Sequence, residues 1–117
     1  MLKVCNIDIE RSEEIFKKVE NYINAVAKKI RPTCILLFGS FARKEINEGS
    51  DIDILVVADF KESFLDRIKT LLDLNTFHLP IEPVGYTPQE FKEMFKKKNS
   101  FLLEVLRHGR VVYGKIP

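Results

Sequence analysis

The sequence predicts a single small α/β (α+β) domain in which helices pack against one β-sheet. Three observations support this fold class. The chain has 117 residues, a length that suits one domain spanning 1–117. Its composition, 45% hydrophobic and 31% charged, is typical of a globular chain and not of a disordered one. Finally, short apolar runs that resemble buried strands alternate with segments in which apolar residues recur at helical spacing.

The first half of the chain contains one predicted helix and two predicted strands. The helix is expected over about 12–30, with Ser12 as its N-cap and Pro32 beyond its end. The apolar runs 34–39 and 51–58 predict buried strands. A short helical turn is expected between them, in the stretch that reads SFARKEI.

The second half predicts three helices and two strands. We expect a helix over 61–75, a broken strand over 79–86, a helix from Pro88 to about Lys98, a helix over 100–108 and a strand after Gly109. The best-defined boundary is the sequence Thr87-Pro88-Gln89-Glu90. It predicts a capping box with a proline at the first helical position.

Composition argues against several functions. No apolar run approaches the ~20 residues of a membrane span, and the first ten residues include acids, so we expect a cytoplasmic protein without a membrane partner. Cys5 and Cys34 lie in apolar segments without zinc-ligand spacing and are expected to be buried free thiols. The net charge of +2 is nearly balanced, which gives no strong signal of nucleic-acid binding.

Two aspartates stand at the start of the second predicted strand. Asp51 and Asp53 alternate with isoleucines, so both carboxylates are expected on one face, about 6.6 Å apart along the strand. Like charges this close raise each other's pKa unless a cation lies between them, and Mg²⁺ is the cation that such carboxylates commonly bind. The same pattern also fits two solvated residues at the frayed start of a strand.

The end of the first predicted strand has features of a phosphate-binding turn. Gly39 removes a side chain that would prevent close approach, and Ser40 begins a helical turn whose free N–H groups attract phosphate. Arg43, one turn later, could pair with phosphate oxygens. A simple turn would explain Gly39-Ser40 alone, but together with the aspartates it predicts a phosphate site that faces a metal site.

Glu82 is the candidate for a third carboxylate. It interrupts a short apolar strand, where it could act as general base or help to hold a metal. A strand-edge glutamate that faces water is the alternative. Pro83 cannot donate to a β-ladder, so we expect Glu82 on an edge strand or at a bend.

At these residues the sequence resembles the nucleotidyltransferase superfamily related to DNA polymerase β, and most of all its minimal nucleotidyltransferases. The family signature is a Gly-Ser turn, a Ser-Asp-x-Asp strand start and a later acid. The matching residues are Gly39, Ser40, Ala42, Arg43, Ser50, Asp51, Asp53 and Glu82. The sequence departs from the family pattern at Lys44, which replaces a frequent glycine, at the third acid, which is Glu followed by Pro83, and in lacking the extra helical domain of larger relatives.

The resemblance implies a nucleotidyltransferase fold with a mixed sheet, and a Mg²⁺-dependent transfer of a nucleotide from ATP or another NTP. By resemblance, Asp51, Asp53 and Glu82 would be the catalytic and metal-binding residues, holding two Mg²⁺ ions. By the same resemblance the nucleotide-binding residues would be Gly39, Ser40, Arg43 and Ser50.

The resemblance also implies a partner, since the sequence shows no acceptor pocket. Minimal nucleotidyltransferases often pair with a helical HEPN-type toxin, and some are antitoxins that place AMP on a toxin tyrosine. Two alternatives stay open: a non-catalytic antitoxin that masks its partner, and a small-molecule nucleotidyltransferase of the aminoglycoside type. A homodimer or hetero-oligomer is also open.

Seven phenylalanines are expected mainly in the core: Phe16, Phe38, Phe64, Phe77, Phe91, Phe95 and Phe101. An exposed cluster of Phe91, Phe95 and Phe101 would instead form a partner or dimer face. His78 is expected at the surface, and His108 is expected to be a cation at a helix C-terminus.

Overall fold

The computed structural model describes residues 9–39 and 51–117, with side chains from residue 13 onwards. Within these ranges it contains four helices and four strands. In chain order they are α1 (Ile9–Ile30), β1 (Cys34–Phe38), β2 (Ile52–Val57), α2 (Phe64–Asp73), β3 (Ile81–Tyr86), α3 (Pro88–Lys96), α4 (Ser100–His108) and β4 (Arg110–Gly114).

The four strands form one mixed sheet in the order β3-β2-β1-β4. Strand β1 is antiparallel to both of its neighbours, β2 and β4, whereas β2 and β3 are parallel. Parallel neighbours require a crossover between them, and α2 makes it. The predicted mixed sheet is confirmed, and β3 is an edge strand, as Pro83 predicted.

The sheet buries an apolar layer on each face. Helices α1 and α2 cover one face, where Val26, Ile54 and Leu71 belong to the same buried cluster. Helices α3 and α4 cover the other face and contribute Phe91 and Leu102 to a second cluster. Because strand side chains alternate between faces, Ile52 and Ile54 point towards α1 and α2, while Asp53 shares a face with Leu55.

The prediction of Ser12 as the N-cap of the first helix was wrong, because α1 begins at Ile9 and Ser12 lies within its first turn. The starts of α2 and α3 do follow local capping signals. The capping box of Thr87 and Glu90 is present as predicted. The second helix begins at Phe64, three residues later than predicted, because the Ser63 side chain accepts a hydrogen bond from the backbone of Asp66 and caps the helix there. It ends at Asp73, two residues earlier than predicted. The predicted helical turn after Gly39 lies outside the described residues.

The prediction that the phenylalanines form core was wrong for four of the seven. Phe91 is buried, and Phe38 and Phe77 are partly buried, but four others are 38–55% exposed: Phe16, Phe64, Phe95 and Phe101. Two of the exposed rings still pack against another aromatic ring. Phe101 makes an edge-to-face contact with Phe38, with ring centroids 5.5 Å apart, and Phe64 lies 5.5 Å from Tyr86.

Among the helices of the described ranges, none combines the length and the apolar character that crossing a bilayer would need.

Candidate active site

The site forms where β2 and β3 begin side by side. Because these strands are parallel and in register, Asp53 is the direct partner of Glu82. Both side chains lie on the face covered by α3 and α4, as alternation from Leu55 and Val84 requires. Asp53 is partly buried and Glu82 is exposed, so one carboxyl group lies within the site and the other lines its opening.

The pKa of Asp53 reflects both its burial and the carboxylates close to it. Its pKa is raised to about 6, first because burial disfavours the charged form and then because it shares a hydrogen bond with Glu82. The negative charges of Glu82 and Asp51 raise this pKa further. The other two predicted carboxyl groups, Glu82 and Asp51, therefore both affect the pKa of Asp53. A carboxyl group with a perturbed pKa of this kind is typical of functional sites.

Gly39 lies against the carboxylate of Asp53. It follows β1 directly, and the last residue of that strand, Phe38, is the cross-strand partner of Asp53. Gly39 has a φ of +73°, a conformation that L side chains rarely adopt. A Cβ at this position would also collide with the carboxylate of Asp53. The glycine was predicted to let a ligand approach, and in the structure the group that approaches it is Asp53.

Asp51 is exposed and lies just before β2, and its negative charge helps to raise the pKa of Asp53. Within residues 9–39 and 51–117, no group of three acidic, histidine or cysteine side chains is positioned to hold a metal ion. The donor set nevertheless fits Mg²⁺, which binds one or two carboxylates and takes its other ligands from water and substrate phosphates. The raised pKa of Asp53 reflects a repulsion between carboxylates that a divalent cation would relieve.

The remaining predicted nucleotide-binding residues lie outside the described residues: Ser40, Arg43 and Ser50. The same holds for Ala42, Lys44 and Cys5. The phosphate-binding role of this loop therefore stays a prediction.

Three other side chains can be placed. Cys34 is a buried free thiol, as predicted, and burial raises its pKa to about 11, so it is a poor nucleophile at neutral pH. His78 is exposed, as predicted. His108 is the last residue of α4, with its Nε2 3.3 Å from Glu104, which agrees with a place at a helix C-terminus.

One buried charged residue was missed at the sequence level. Arg67 of α2 is only 8% exposed, and its guanidinium contacts β3 and the start of α3. The sequence did hold a signal, because Arg67 lies three residues after Phe64 and four before Leu71, on the apolar face of its helix.

Comparison with known proteins agrees with this geometry. Residues 20–116 match the family model described as polymerase beta, nucleotidyltransferase. The chain belongs to this family and is a nucleotidyltransferase, as the resemblance implied.

The chain is 38% identical over 101 residues to "Putative protein adenylyltransferase MJ0604" of Methanocaldococcus jannaschii, a match that covers 83% of this chain and 96% of the relative. Two solved structures share the fold. A "putative nucleotidyltransferase" from Sulfolobus solfataricus superposes with a TM-score of 0.63 at 19% identity, covering 92% of this chain and 86% of that one. A toxin–antitoxin structure with AMP-PNP gives a TM-score of 0.55 at 22% identity, covering 82% and 73%.

Proposed function

We propose that this nucleotidyltransferase transfers AMP from ATP, with Mg²⁺, to a tyrosine hydroxyl of a HEPN-type toxin and so acts as its antitoxin. The observation that carries the chemical part is the pairing of Asp53 with Glu82 beside Asp51, at the open start of two parallel strands. A pair of carboxyl groups with the charge of a third nearby suits the transfer of a charged phosphoryl group, which depends on positioning and on charge neutralisation.

Asp51, Asp53 and Glu82 are the residues that would hold the metal. When bound, Mg²⁺ would neutralise the phosphate oxygens of ATP and the charge that develops on them. The partly buried Asp53 is fixed by the β2 ladder and by its contact with Gly39, so it is suited to a ligand role that demands one position.

The exposed Glu82 is suited to proton transfer, since an acceptor can reach it from outside. In the proposed step the acceptor hydroxyl oxygen forms a bond to the α-phosphorus, and its proton passes to the Glu82 carboxylate. The bond from the α-phosphorus to the bridging oxygen breaks, and pyrophosphate leaves with that electron pair. The product is an acceptor esterified with AMP.

The protein acceptor is supported by similarity. The relative from Methanocaldococcus jannaschii carries the name of a protein adenylyltransferase, and it is matched over nearly its whole length. The toxin–antitoxin structure contains AMP-PNP, an ATP analogue, and shares the fold. The HEPN identity of the partner comes from the resemblance to minimal nucleotidyltransferases.

Label transfer tests this proposal. The pure protein is incubated with Mg²⁺, host lysate and ATP labelled on the α-phosphate, with γ-labelled ATP in parallel. We expect a protein band labelled from the α-position only, because the γ-phosphate leaves within pyrophosphate. Mass spectrometry of that band should find AMP on a tyrosine.

Two variants control for charge. Asp51→Asn/Asp53→Asn should abolish the band, whereas Asp59→Asn/Asp73→Asn, which removes two exposed acids, should leave it unchanged. Label from the γ-position would indicate a kinase. If α-label appears only in low-mass products, the acceptor is a small molecule. If no label appears with any NTP, the chain is a non-catalytic binder.

A further inference from the structure

The feature that the proposed reaction does not yet use is the Arg67 cluster, which we define as Arg67, Glu90, Gly85, Phe60 and the carbonyl of Glu62. The Arg67 guanidinium donates from Nη1 to Glu90 Oε1 at 2.7 Å and from Nη2 to Oε2 at 3.3 Å. It also donates to the carbonyl oxygens of Gly85 at 3.1 Å and Glu62 at 2.9 Å. Its central carbon lies 5.4 Å from the centre of the Phe60 ring.

The packing of this cluster depends on Gly85. A Cβ at Gly85 would come within 2.7 Å of the Phe60 ring, so any larger residue would displace the ring beneath the guanidinium. Phe60, Gly85 and Arg67 thus form a close stack at the far end of β3 from Glu82. Glu90 closes the stack from the first turn of α3, where it also accepts a hydrogen bond from the backbone N–H of Thr87.

Stability alone is a weak explanation for this arginine. Arg67 is 8% exposed on a helix face that otherwise contributes apolar side chains, and removing a guanidinium from water is costly. An apolar side chain of similar length would fill the same space without that cost. What the planar fork supplies, and an apolar side chain cannot, is a fixed geometry towards several acceptors at once.

One of the hydrogen-bond acceptors of Arg67, the carbonyl oxygen of Gly85, lies on the outer edge of β3. The backbone of Ile52 donates to Pro80 O and that of Ala58 to Tyr86 O, so the carbonyls of even-numbered residues in β3 face β2. Gly85 O therefore points to the outer side of the sheet, and there it meets Arg67. Pro83 has no N–H to offer on that side. Among the described residues, β2 is the only strand neighbour of β3.

We propose that Arg67 is a positioning residue for the transfer reaction: it clamps the outer edge of β3 at Gly85 and so holds Glu82 beside Asp53. The proposal rests on the proposed function of Glu82. An edge strand bound on one side can shift along its neighbour, and a slip of one residue would turn Glu82 to the opposite face. Smaller shifts also matter, because a displacement of about 1 Å can lower a rate by ~10²-fold.

The test compares Arg67→Met with a matched control, Lys69→Met, which removes an exposed positive charge from the same helix. Urea unfolding first establishes that both variants are folded. We expect Arg67→Met to lower the rate of α-label transfer at saturating ATP by about 10–100-fold. The affinity for Mg²⁺ and AMP-PNP, measured by calorimetry, should change less than about threefold. Lys69→Met should match the wild-type protein in both measurements.

A second readout does not depend on activity. In hydrogen exchange, the amides of Val84 and Tyr86, which face β2, should exchange about tenfold faster in Arg67→Met. The amide of Leu36, in the central strand β1, should keep its wild-type protection. Equal acceleration at all three amides would indicate a global loss of stability and would overturn the proposal.

A double-mutant cycle separates positioning from general support. If Arg67 acts through Glu82, then Arg67→Met should have little further effect on the rate in a Glu82→Gln background. Additive losses, or a folded Arg67→Met with a wild-type rate, would refute the proposal. If Arg67→Met does not fold, Arg67→Lys takes its place in the same cycle, since lysine keeps the charge but cannot reach all four acceptor atoms. Absence of transfer by the wild-type protein would instead reject the proposed function.

Discussion

Asp53 and Glu82 are direct partners on the parallel strands β2 and β3, and Glu82 helps to raise the pKa of Asp53. Two adjacent anions at the start of two strands are unfavourable in the absence of a cation. The proposed function of this site therefore opposes the free energy of folding, which is common at sites that bind a charged ligand.

Asp53→Asn should make the metal-free protein more stable at pH 7, by about 1–3 kcal/mol, because the folded protein no longer holds a crowded carboxylate. The folded pKa of Asp53, about 6, lies above the ordinary value. Stability linked to this group is therefore greatest below about pH 4 and is lost as pH rises to about 6. Urea unfolding across pH 4–8 should show the gap between variant and wild type opening in this window. A gap that does not change with pH would contradict the assignment.

Glu82→Gln should lower the rate of nucleotide transfer by ~10²–10⁴-fold, because an amide cannot accept the acceptor's proton. It should also lower the pKa of Asp53, since the charge and the hydrogen bond of Glu82 both raise it. The pKa can be followed by NMR of the Asp53 carboxyl carbon. Glu20→Gln, at an exposed position of α1, is the control for loss of one negative charge. An unchanged Asp53 pKa would mean that the two carboxyl groups are not in contact.

Gly39→Ala should destabilise the protein and abolish transfer. The positive φ alone costs about 1–2 kcal/mol for a residue with a Cβ, and the new methyl group collides with the Asp53 carboxylate. The collision can be isolated by repeating the substitution in an Asp53→Ala background, where only the backbone strain is left. Thermal unfolding of the four proteins gives the comparison. Equal losses in both backgrounds would show that Gly39 does not contact Asp53.

Tyr22→Phe should destabilise the protein by about 1–2 kcal/mol without changing transfer per folded molecule. The buried Tyr22 hydroxyl donates to the carbonyl oxygen of Leu71 at 2.7 Å and joins α1 to α2 on the face opposite the carboxylates. Burial also raises the pKa of this hydroxyl, so it stays a donor at all ordinary pH values. Tyr113→Phe, at an exposed position, should leave the urea midpoint unchanged. A fall in the transfer rate of Tyr22→Phe would show that this joint supports the site.

Local features were the most predictable from sequence. The capping box of Thr87 and Glu90 involves residues three apart, and it was present as expected. The two strands that meet at the site were also evident as apolar runs. Their parallel register was not, since it depends on how α2 packs between strands distant in sequence. Glu82 was singled out because an acid interrupts an apolar strand, but its place beside Asp53 depends on this register and was not predicted.

Arg67 shows why a buried charged residue escaped prediction from the sequence. A charged residue within an amphipathic helix is usually taken to extend its head into water along the border of the apolar face. Here four acceptor atoms surround the guanidinium, and three of them come from β3 and α3, which follow later in the chain. Glu90 was explained fully by its capping role, so nothing in the sequence required it to have a second partner.

The contact of Arg67 with the outer edge of β3 also affects how readily another chain can pair with that edge. An exposed strand edge is a template on which another chain can add a strand, and this is a common route to aggregation. On the outer side of β3, Pro83 offers no donor and the Gly85 carbonyl is already occupied by Arg67. One donor that an added strand would pair with is thus missing and one acceptor is already used, which disfavours strand addition along the edge that carries Glu82.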